Sequence, residues 1–531
     1  MTTQRRTLLV DPDELAELRQ PIDGIVLERS ATPDRFELAE GPFSQYVREL
    51  DVVPDESSSV DERRFRVTET TSWKLSVPVF WIIFWLPFWL HVRGGQSNPT
   101  PWWAPAGRLD TRAGRVIGLL GMLAIINGFV GTVIGQTLTY AADEFCQEFA
   151  VVDGIRRCVD EAHDTSTRAN VFSIVRISIV LSLILTVAAD RIGRRRALRI
   201  AVTASCIATA AGALAPSLPA LTASQVVARG LASGITILIG VFAAEELPPK
   251  SRAYGVSMLI LLAGLGAGMV VWVLPTADIA DWGWRIVYAV ALVFVPLALW
   301  ASSQLPTTRR FAQAAPQPFR RSLAELRSND NLRKRLLLLG TAALLGAMFA
   351  NPASQFDNQF LRDELGFTAT RISLFTVITS TPVGLGVMAG GILADRIGRR
   401  PVGAFGTAVG VSLTIASFYA GPVSIFPIRA VGVVLGAGFA VAGLAVYGPE
   451  LFPTRLRSTA NGIITTFGVI GSVVGFQLVG RLAEHFGAFG PALLVAAIGP
   501  AIVVVLILTL YPETANRTLE EINNEAALDD G

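Results

Sequence analysis

Twelve long apolar stretches recur along this chain, and no other feature constrains its fold as strongly. They cover residues 116–140, 171–189, 198–215, 218–244, 256–274, 286–305, 336–353, 372–394, 401–420, 425–447, 462–482 and 490–511. A bilayer core of roughly 30 Å takes about 20 apolar residues of helix for each crossing. The mean hydropathy of +0.48 agrees with a chain that lies mostly in lipid. The sequence therefore predicts an all-α membrane protein with twelve transmembrane helices.

Lysine and arginine are concentrated in alternate connections between these stretches. The basic connections are residues 190–199, 245–252, 309–335, 395–400 and 450–457. By the positive-inside bias, they predict a multi-pass protein of the cytoplasmic membrane with both ends of the helical core in the cytoplasm. We see no signal peptide in the sequence, so we expect the first spanning helix to direct insertion.

The second half of the chain repeats features of the first half. The string DRIGRR occurs at residues 190–195 and again at residues 395–400, each time after the second apolar stretch of its half. An arginine also lies in each fourth stretch, at Arg229 and Arg429. Duplication explains these matches, and it predicts two pseudo-symmetric six-helix bundles with a solute site at their interface.

The chain divides into six predicted regions. They are a polar N-terminal extension (1–72), an aromatic membrane-associated segment with a linker (73–113), the N-terminal bundle (114–305), a cytoplasmic central loop (306–335), the C-terminal bundle (336–511) and a cytoplasmic tail (512–531). The extension suits a small accessory domain or partial disorder. The apolar part of the second region, residues 75–90, would reach only about 24 Å as a helix. We expect it to lie in the cytoplasmic interface or to re-enter the membrane, with a thirteenth span as the alternative.

Several loop sequences resemble motifs of a known family. The two DRIGRR loops, PELFPTRLR (449–457), LPTTRRF (305–311) and PETANRTLEEI (512–522) are similar to those of the major facilitator superfamily, most of all its sugar porters and organic-acid symporters. The resemblance implies a secondary active or facilitative transporter that moves a small polar solute, sugar-like or an organic anion, by alternating access. Two alternatives stay open, a drug exporter of the same superfamily and a sensor that binds solute without moving it.

Charged residues in the basic loops predict a cytoplasmic gate made of ion pairs that break and re-form. The glycines in the set supply the tight turn of each loop. The alternative is that these loops only fix topology. The gate candidates are Asp190, Arg191, Gly193, Arg194, Arg195, Glu246, Arg252, Asp395, Arg396, Gly398, Arg399, Arg400, Glu450, Arg455 and Arg457.

Polar side chains within the apolar stretches predict the solute cavity, because a charge at bilayer depth costs at least ~2.5 kcal/mol and usually faces a cavity or a partner. The candidates are Asn127, Thr132, Gln136, Arg176, Gln225, Arg229, Asn351, Gln355, Asp357, Arg429 and Tyr447. Alternatives are a bridge between helices for Arg229, snorkelling for Arg176, interfacial anchoring for Arg429, and an outer gate or a solvated loop for the segment around Asp357.

The first helix departs from the sugar-symporter pattern at one position. Val130 stands where the resemblance implies the aspartate that takes up the coupling proton, and no other carboxylate lies deep in the first six stretches. Facilitated diffusion, exchange with a counter-solute, or proton coupling through another group all stay open.

Other classes of site find little support in the sequence. His91, His163 and His485 lack metal-ligand spacing, so we expect no metal and no cofactor. No nucleophile lies with a base, so we expect no enzyme, and we expect a monomer without a nucleic-acid partner. The glycines of residues 264–268 lie in an apolar stretch and predict close helix packing, not a dinucleotide loop. Outside the membrane, Cys146 and Cys158 would form a disulfide.

Overall fold

The computed structural model describes most of the chain. The described residues are 1–55, 64–78, 81–94, 101, 104, 108–146, 149–152, 155–158, 164–248, 251–306, 319–444, 447–453 and 456–515.

The N-terminal extension folds as an antiparallel sheet. Its elements are β1 (Thr2–Val10), α1 (Pro12–Leu18), β2 (Leu27–Thr32), β3 (Arg35–Glu40), β4 (Phe43–Pro54) and β5 (Phe65–Leu75), with strand order β1-β5-β4-β3-β2. Alternate residues of β5 are buried, and Phe36, Phe43 and Trp73 are almost fully buried. The prediction of an all-α chain omits this sheet, which corresponds to the accessory-domain alternative for these residues.

A buried ion pair lies inside the sheet domain. Arg48 donates to the carboxylate of Glu28 at 2.7 Å, and both side chains are fully buried. Tyr46 donates to the same carboxylate at 2.8 Å. Burial and the nearby Glu28 carboxylate raise the pKa of Tyr46 well above its ordinary value. The tyrosine is therefore a permanent hydrogen-bond donor in this domain.

Helix α2 (Trp81–Gly94) packs on this sheet through one of its faces. Phe88 meets Phe43 edge-on, with ring centroids 5.3 Å apart. The other face carries three exposed apolar side chains at four-residue spacing, Ile82, Leu86 and Leu90. Both faces of this short helix are thus apolar, and only one is covered by the described protein.

The sheet domain is fastened to the start of the first long helix, α3 (Thr111–Phe145). Thr111 donates from its hydroxyl to the carbonyl oxygen of Phe43 at 2.8 Å. A Cβ added at Gly118, two turns into α3, would lie 2.6 Å from the ring of Pro78. Ser76 and Pro78, which follow β5, therefore lie against the first two turns of α3.

The remaining elements form two helical halves. The first half continues with β6 (Phe149–Val152), β7 (Ile155–Cys158), α4 (Thr165–Ile177), α5 (Val180–Ile192), α6 (Arg194–Ala211), α7 (Leu218–Glu246), α8 (Arg252–Val273), α9 (Trp284–Ala289) and α10 (Ala291–Gln304). The second half comprises α11 (Phe319–Ser328), α12 (Asp330–Gln355), α13 (Asp357–Asp363), α14 (Ala369–Ser380), α15 (Val383–Ile397), α16 (Arg399–Ser417), α17 (Ile425–Val431), α18 (Phe439–Leu444), α19 (Tyr447–Glu450), α20 (Arg457–Phe486), α21 (Phe489–Ala496) and α22 (Ile498–Leu510). A π-helical segment, Gly432–Gly438, joins α17 to α18.

Within the described ranges, nine helices are long and apolar enough to cross a membrane. They are Thr111–Phe145, Arg194–Leu214, Leu218–Ala243, Tyr254–Asp278, Trp284–Gln304, Asp330–Gln355, Ala369–Ala394, Thr459–Phe486 and Phe489–Leu510. A shorter apolar helix covers Ile425–Val441. The predicted second stretch is broken between α4 and α5, since Ser178 and Ile179 belong to neither helix.

The internal repeat is also visible in the packing. In the first half α3 packs on α8, and in the second half α12 packs on α20. A Cβ added at Gly128 would lie 1.9 Å from the carbonyl oxygen of Ala263, and one at Gly471 would lie 2.1 Å from that of Leu344. Both contacts bring helix backbones together at a glycine, so the two halves use the same device at corresponding helix pairs.

The helix ends lie on two faces of the molecule. We call the side with the α5–α6 and α15–α16 turns, at Gly193 and Gly398, the arginine-rich face. The side with the β6–β7 hairpin and α13 is called the opposite face.

Candidate solute-binding cavity

A cavity of about 990 Å³ lies mainly within the second half. This volume falls at the upper end of the range of small-molecule sites. The walls come from α12, α13, α14, α16, α17, the π-helical segment, α18, α19, α20 and α22, and Gln136 of α3 adds a wall from the first half. Its polar lining includes Gln136, Ser354, Asp357, Asn358, Thr376, Thr379, Ser380, Thr407, Thr414, Arg429, Asn461 and Thr465. Hydroxyl and amide groups on a mostly apolar wall can orient a small polar solute.

An ion pair lines this cavity. Arg429 donates from Nη2 to Oδ1 of Asp357 at 2.7 Å, and the two side chains are 13% and 18% exposed. The guanidinium also lies over two rings, 5.3 Å from the centroid of Phe418 and 6.0 Å from that of Phe375. Arg429 therefore faces the cavity and its partner, and anchoring in the membrane interface does not describe its contacts.

Two further arginines lie near the seam between the halves. Arg176 lies on α4 and Arg229 lies on α7, and both helices begin at the opposite face. Each arginine is three turns from the start of its helix, a distance of about 17 Å along the helix axis. Arg176 donates to Oδ1 of Asn351 on α12, across the seam, instead of snorkelling outward. It is close enough to act electrostatically on Arg229. Among the described residues, no carboxylate faces either guanidinium.

Arg229 reaches toward the position where the resemblance implies an acid. Its Nη1 lies 3.9 Å from the place that a Cβ at Gly131 would take, next to the buried Val130. Within the described part of the chain, no hydrogen bond or ion pair holds this guanidinium. The sequence-based alternative of a bridge between helices finds no bonded partner here.

The other predicted cavity residues fall into several environments. Asn127 is buried and donates to the hydroxyl of Thr236 at 2.9 Å, and Thr132 donates to a carbonyl oxygen of its own helix. Gln225 is fully buried, and its Oε1 has no partner in the described residues. Gln355 lies against Gly135 of α3.

Tyr447 is buried against Tyr511, with ring centroids 4.9 Å apart, and only Tyr511 lines the cavity. Asn461 and Thr407 also line the cavity and were not predicted, and Asn358, from the polar run around Asp357, lines it as well. The helical spacing of the polar residues within each apolar stretch is the signal that would have found them.

On the opposite face, charged residues tie the two halves together. Arg168 donates to Asp143 at 3.0 Å and to Asp363 at 3.3 Å, and Arg362 pairs with Asp143 at 2.8 Å. We call Asp143, Arg168, Arg362 and Asp363 the opposite-face ion cluster. Two of its members come from each half. These four residues were not predicted as a site, because they lie at helix ends where charged side chains are ordinary.

Hydrogen bonds near the opposite-face ion cluster also connect the two halves. Asn358 donates to the backbone and side-chain oxygens of Gln136, at 2.9 and 3.0 Å. Asp278 accepts from the backbone amides of Ala369 and Thr370, both at 2.7 Å. The polar run at residues 351–359 thus contacts the first half through Asn358. Its role as an outer gate stays a prediction.

On the arginine-rich face, the ion pairs between described side chains each join residues of the same half. Arg194 pairs with Glu245, and Arg112 pairs with Glu246 at 3.0 Å, all in the first half. Arg195 donates to the carbonyl oxygen of Ser303. The side chains of Asp190, Arg191, Arg252, Asp395, Glu450 and Arg455 lie outside the described residues, so the predicted gate is only partly visible.

In the second half, Glu513 caps the helix that follows the second DRIGRR turn. It accepts from the backbone amides of Arg399 and Arg400, at 2.9 and 3.1 Å. Burial alone would raise the pKa of Glu513, but the bonds from these amides and from that of Ala515 lower it below its ordinary value. Glu513 therefore stays ionised at the positive end of the α16 dipole.

The cysteines fall into two classes. Cys146 at the end of α3 is disulfide-bonded, whereas Cys206 is buried and free. No group of three or more His, Cys, Asp or Glu residues in the described ranges could hold a metal ion.

The sequence is similar to a known family and to several known transport proteins. Residues 120–356 and 337–527 match the family described as the Major Facilitator Superfamily. The chain is 25% identical over 231 residues to the citrate-proton symporter of Salmonella typhi, 27% over 238 residues to the cis,cis-muconate transport protein of Acinetobacter baylyi, and 32% over 212 residues to the chloramphenicol resistance protein of Streptomyces lividans. These matches cover 40%, 42% and 39% of this chain and 52%, 56% and 51% of the relatives. The chain thus spans about half the length of the curated relatives that it matches.

A solved structure agrees on the fold. The inward open conformation of the xylose transporter XylE from E. coli has a TM-score of 0.60 at 17% identity, with 78% of this chain and 99% of that chain covered. The family match extends over most of the chain from residue 120 onward. This protein belongs to the Major Facilitator Superfamily.

Proposed function

We propose that this protein is a secondary transporter that moves a small organic anion across the cytoplasmic membrane by alternating access. It acts as a carrier and not as an enzyme. In this proposal the solute binds at the seam between the halves, at Arg176 and Arg229.

One observation carries the choice of an anion over a sugar. Arg176 and Arg229 lie close together at mid-helix depth, and no described carboxylate neutralises them. Two such charges are costly in a membrane unless a counter-charge is present, and a bound anion supplies that charge. A neutral sugar would leave both guanidinium groups uncompensated. The hydroxyl and amide lining of the cavity would then orient the remainder of the solute.

Two relatives support this choice. One is described as a citrate-proton symporter and another as a cis,cis-muconate transport protein, and both named solutes are carboxylates. A relative described as a chloramphenicol resistance protein favours the drug-exporter alternative. A lipophilic drug would supply no negative charge to the guanidinium groups of Arg176 and Arg229. An anion carrier therefore explains these two arginines better than a drug exporter does.

The alternating-access part of the proposal rests on the asymmetry between the two faces. The opposite-face ion cluster joins the halves, whereas no described ion pair joins them on the arginine-rich face. In our proposal the arginine-rich face lies in the cytoplasm, as the basic loops favour. The described conformation would then be open to the cytoplasm and closed to the outside.

The membrane topology completes the proposal. The nine apolar helices supply nine spans. The pair α4 and α5, the helix α16, and the pair α17 and α18 supply one span each, which gives twelve. Both ends of this core lie in the cytoplasm, and Cys146 bonds to Cys158 outside. The carrier works as a monomer, and α2 lies in the cytoplasmic interface with its Ile82, Leu86 and Leu90 face in lipid.

Uptake into proteoliposomes tests the proposal. The panel is labelled citrate, succinate, cis,cis-muconate and the neutral sugar xylose. We expect uptake of at least one anion and none of xylose. Arg229→Gln should lower anion uptake by roughly tenfold or more, the value of a lost hydrogen bond to a charged group. Arg333→Gln, at an exposed arginine of α12, is the matched control and should transport normally.

Three outcomes would contradict the proposal. Uptake of xylose alone would favour the sugar-porter alternative, and unchanged anion uptake by Arg229→Gln would remove that residue from the site. Binding of an anion without counterflow would favour the sensor.

A further inference from the structure

A second cavity lies in the N-terminal region, outside the part of the chain that matches the family, which begins at residue 120. Its volume is about 300 Å³, at the lower end of the range of small-molecule sites. Residues 73–78, at the end of β5 and just after it, form most of its lining, together with Met1, Thr2 of β1 and Trp85 of α2. The proposed solute site does not include this cavity.

One buried donor in this lining has no partner. Trp73 is only 1% exposed, and its indole Nε1–H makes no hydrogen bond to any described residue. The other indole of the lining is satisfied, since Trp85 donates from Nε1 to the hydroxyl of Thr2 at 3.0 Å. Ser76 donates to the carbonyl oxygen of Pro42 at 2.9 Å. Because buried donors are nearly always satisfied, the Trp73 indole indicates a hydrogen-bond acceptor that a ligand supplies.

The charge around the cavity is positive. Lys74 lines it, is exposed, and has no acidic partner among the described residues. Pro78 and Trp85 place the cavity next to the start of α2, and a helix of 14 residues carries a partial positive charge at that end. None of the described lining residues is acidic. The acceptor that fits this cavity is therefore an anion.

The other walls of the cavity are apolar and belong to the side of the domain that we place at the membrane. They are formed by Leu75, Val77, Pro78 and the rings of the two tryptophans. Trp85 shares α2 with the exposed apolar face that lies in lipid in our proposal. Tryptophan is enriched at the depth of the lipid headgroups, because its ring is apolar and its N–H is polar. A free phosphate ion would leave the apolar walls uncovered, whereas a phospholipid would cover them.

We propose that this cavity binds the headgroup of an anionic phospholipid of the cytoplasmic leaflet, and this inference rests on the proposed placement of α2 in the interface. A phosphate or ester oxygen of the lipid accepts from Nε1 of Trp73, and Lys74 balances the charge of the phosphate. The acyl chains continue along the lipid-facing side of α2. Ser76 and Pro78 of the lining lie against the first two turns of α3, so a lipid bound here attaches the start of that helix to the bilayer.

Photo-crosslinking with the full chain in nanodiscs tests the site. The discs contain phosphatidylcholine with a small fraction of photoreactive lipid, either phosphatidylglycerol or phosphatidylcholine, each with a diazirine in its headgroup. Mass spectrometry locates the crosslinks. Within residues 73–78 we expect about fivefold more crosslinking from phosphatidylglycerol than from phosphatidylcholine, the effect of one lysine on an anionic lipid. Soluble glycerol phosphate in excess should not compete, because it has no acyl chains.

Two variants remove the groups that are proposed to hold the headgroup. Lys74→Gln should lower the phosphatidylglycerol crosslinking about fivefold, whereas Lys74→Arg keeps the charge and should keep the crosslinking. Trp73→Phe keeps a ring without the donor, and it should lower the crosslinking about tenfold, the value of a hydrogen bond to a charged group. The matched control is Arg66→Gln, which removes a charge from an exposed position about 26 Å away on β5 and should change nothing.

Equal crosslinking of residues 73–78 by the two lipids would overturn the proposal. So would phosphatidylglycerol crosslinking that Lys74→Gln leaves unchanged, which is a decisive result even where Trp73→Phe unfolds. Competition by glycerol phosphate would make the ligand a free phosphate ester and not a lipid. Crosslinks along residues 82–90 without selectivity at residues 73–78 would contradict this inference alone. No crosslinks along residues 82–90 from either lipid would contradict the placement of α2 in the interface, so the two failures are distinguishable.

Discussion

At the scale of single residues, the two DRIGRR turns depend on glycines with positive φ. The φ angles are +89° at Gly193 and +112° at Gly398, which L side chains rarely adopt. The surroundings differ, since a Cβ at Gly398 would lie 2.6 Å from Oε2 of Glu513, whereas nothing lies within 4 Å of one at Gly193. The repeated turns therefore tolerate substitution unequally.

We predict that Gly398→Ala destabilises the protein more than Gly193→Ala does. Each change forces a strained backbone, which costs about 1–3 kcal/mol. Gly398→Ala also displaces the carboxylate that caps α16. Thermal unfolding in detergent measures both variants side by side. Equal losses would contradict the role given to Glu513.

Some of these residues can be predicted from the sequence and others cannot. The repeated motif predicts Gly193 and Gly398 as turn glycines. Arg176, Arg229, Asp357 and Arg429 are recognisable in the sequence as ionisable groups in apolar surroundings. The pairing of Arg429 with Asp357 is not predictable from the sequence, because that contact depends on how α13 leaves the end of α12. Partners distant in sequence are set by packing, not by local pattern.

At the scale of elements, close helix crossings depend on individual glycines. On α8, a Cβ at Gly266 would lie 1.9 Å from the carbonyl oxygen of Ile125 on α3, but nothing lies within 4 Å of one at Gly264 or Gly268. The sequence predicts helix packing for all three glycines, and only Gly266 makes the contact. The other two face open space in the described structure.

We predict that Gly266→Ala impairs both stability and transport, whereas Gly264→Ala does not. A methyl group at Gly266 must push α3 and α8 apart, and such overpacking typically costs about 1–3 kcal/mol. Gly264→Ala adds the same methyl group to the same helix without a clash. Thermal unfolding and anion uptake are measured for both. A normal Gly266→Ala protein would show that the crossing is looser than described.

Helix α2 offers a second prediction at this scale. A fluorophore on Leu86→Cys should be quenched by lipids that carry a spin label near the headgroup, because the exposed apolar face is proposed to lie in the membrane interface. The matched control is Val53→Cys, at an exposed position on the sheet, where the fluorophore should not be quenched. The measurement uses the full chain in nanodiscs with Cys206→Ala. Equal quenching at both sites would remove α2 from the interface.

The elements differ in how far sequence could predict them. Long apolar stretches predict helices well, and the first predicted stretch, 116–140, lies inside α3. The N-terminal sheet was not predicted, because its strands mix charged and apolar residues and composition alone suggests a polar extension. The alternation of burial along β5, from Phe65 to Leu75, is the period-2 signal that composition overlooks.

At the scale of the whole molecule, ion pairs between described side chains join the two halves on the opposite face, and none of the described pairs joins them on the arginine-rich face. The repeated charges of the basic loops predict ion-pair gating on the arginine-rich face. The described pairs on that face stay within each half, while the opposite-face ion cluster joins the halves. A carrier with two states of similar energy would break this cluster when it opens outward and form contacts between the basic loops instead. The central claim of our account is this exchange of contacts between faces.

Distances between spin labels test that claim. One pair reports the opposite face, at Leu214 in the first half and Val423 in the second half, both strongly exposed. A second pair reports the arginine-rich face, at Ile192 and Ile397, also exposed. Cys206→Ala provides the background for labelling, since Cys146 is already bonded.

The distances are measured by pulsed electron resonance in nanodiscs, with and without a saturating transported anion, and again after Asp143→Asn weakens the opposite-face ion cluster. We predict that Asp143→Asn raises the population in which the Leu214–Val423 distance is longer and the Ile192–Ile397 distance is shorter. The two changes must occur together and in opposite directions. Distances that stay fixed on both faces, or that lengthen on both faces together, would contradict alternating access by these halves.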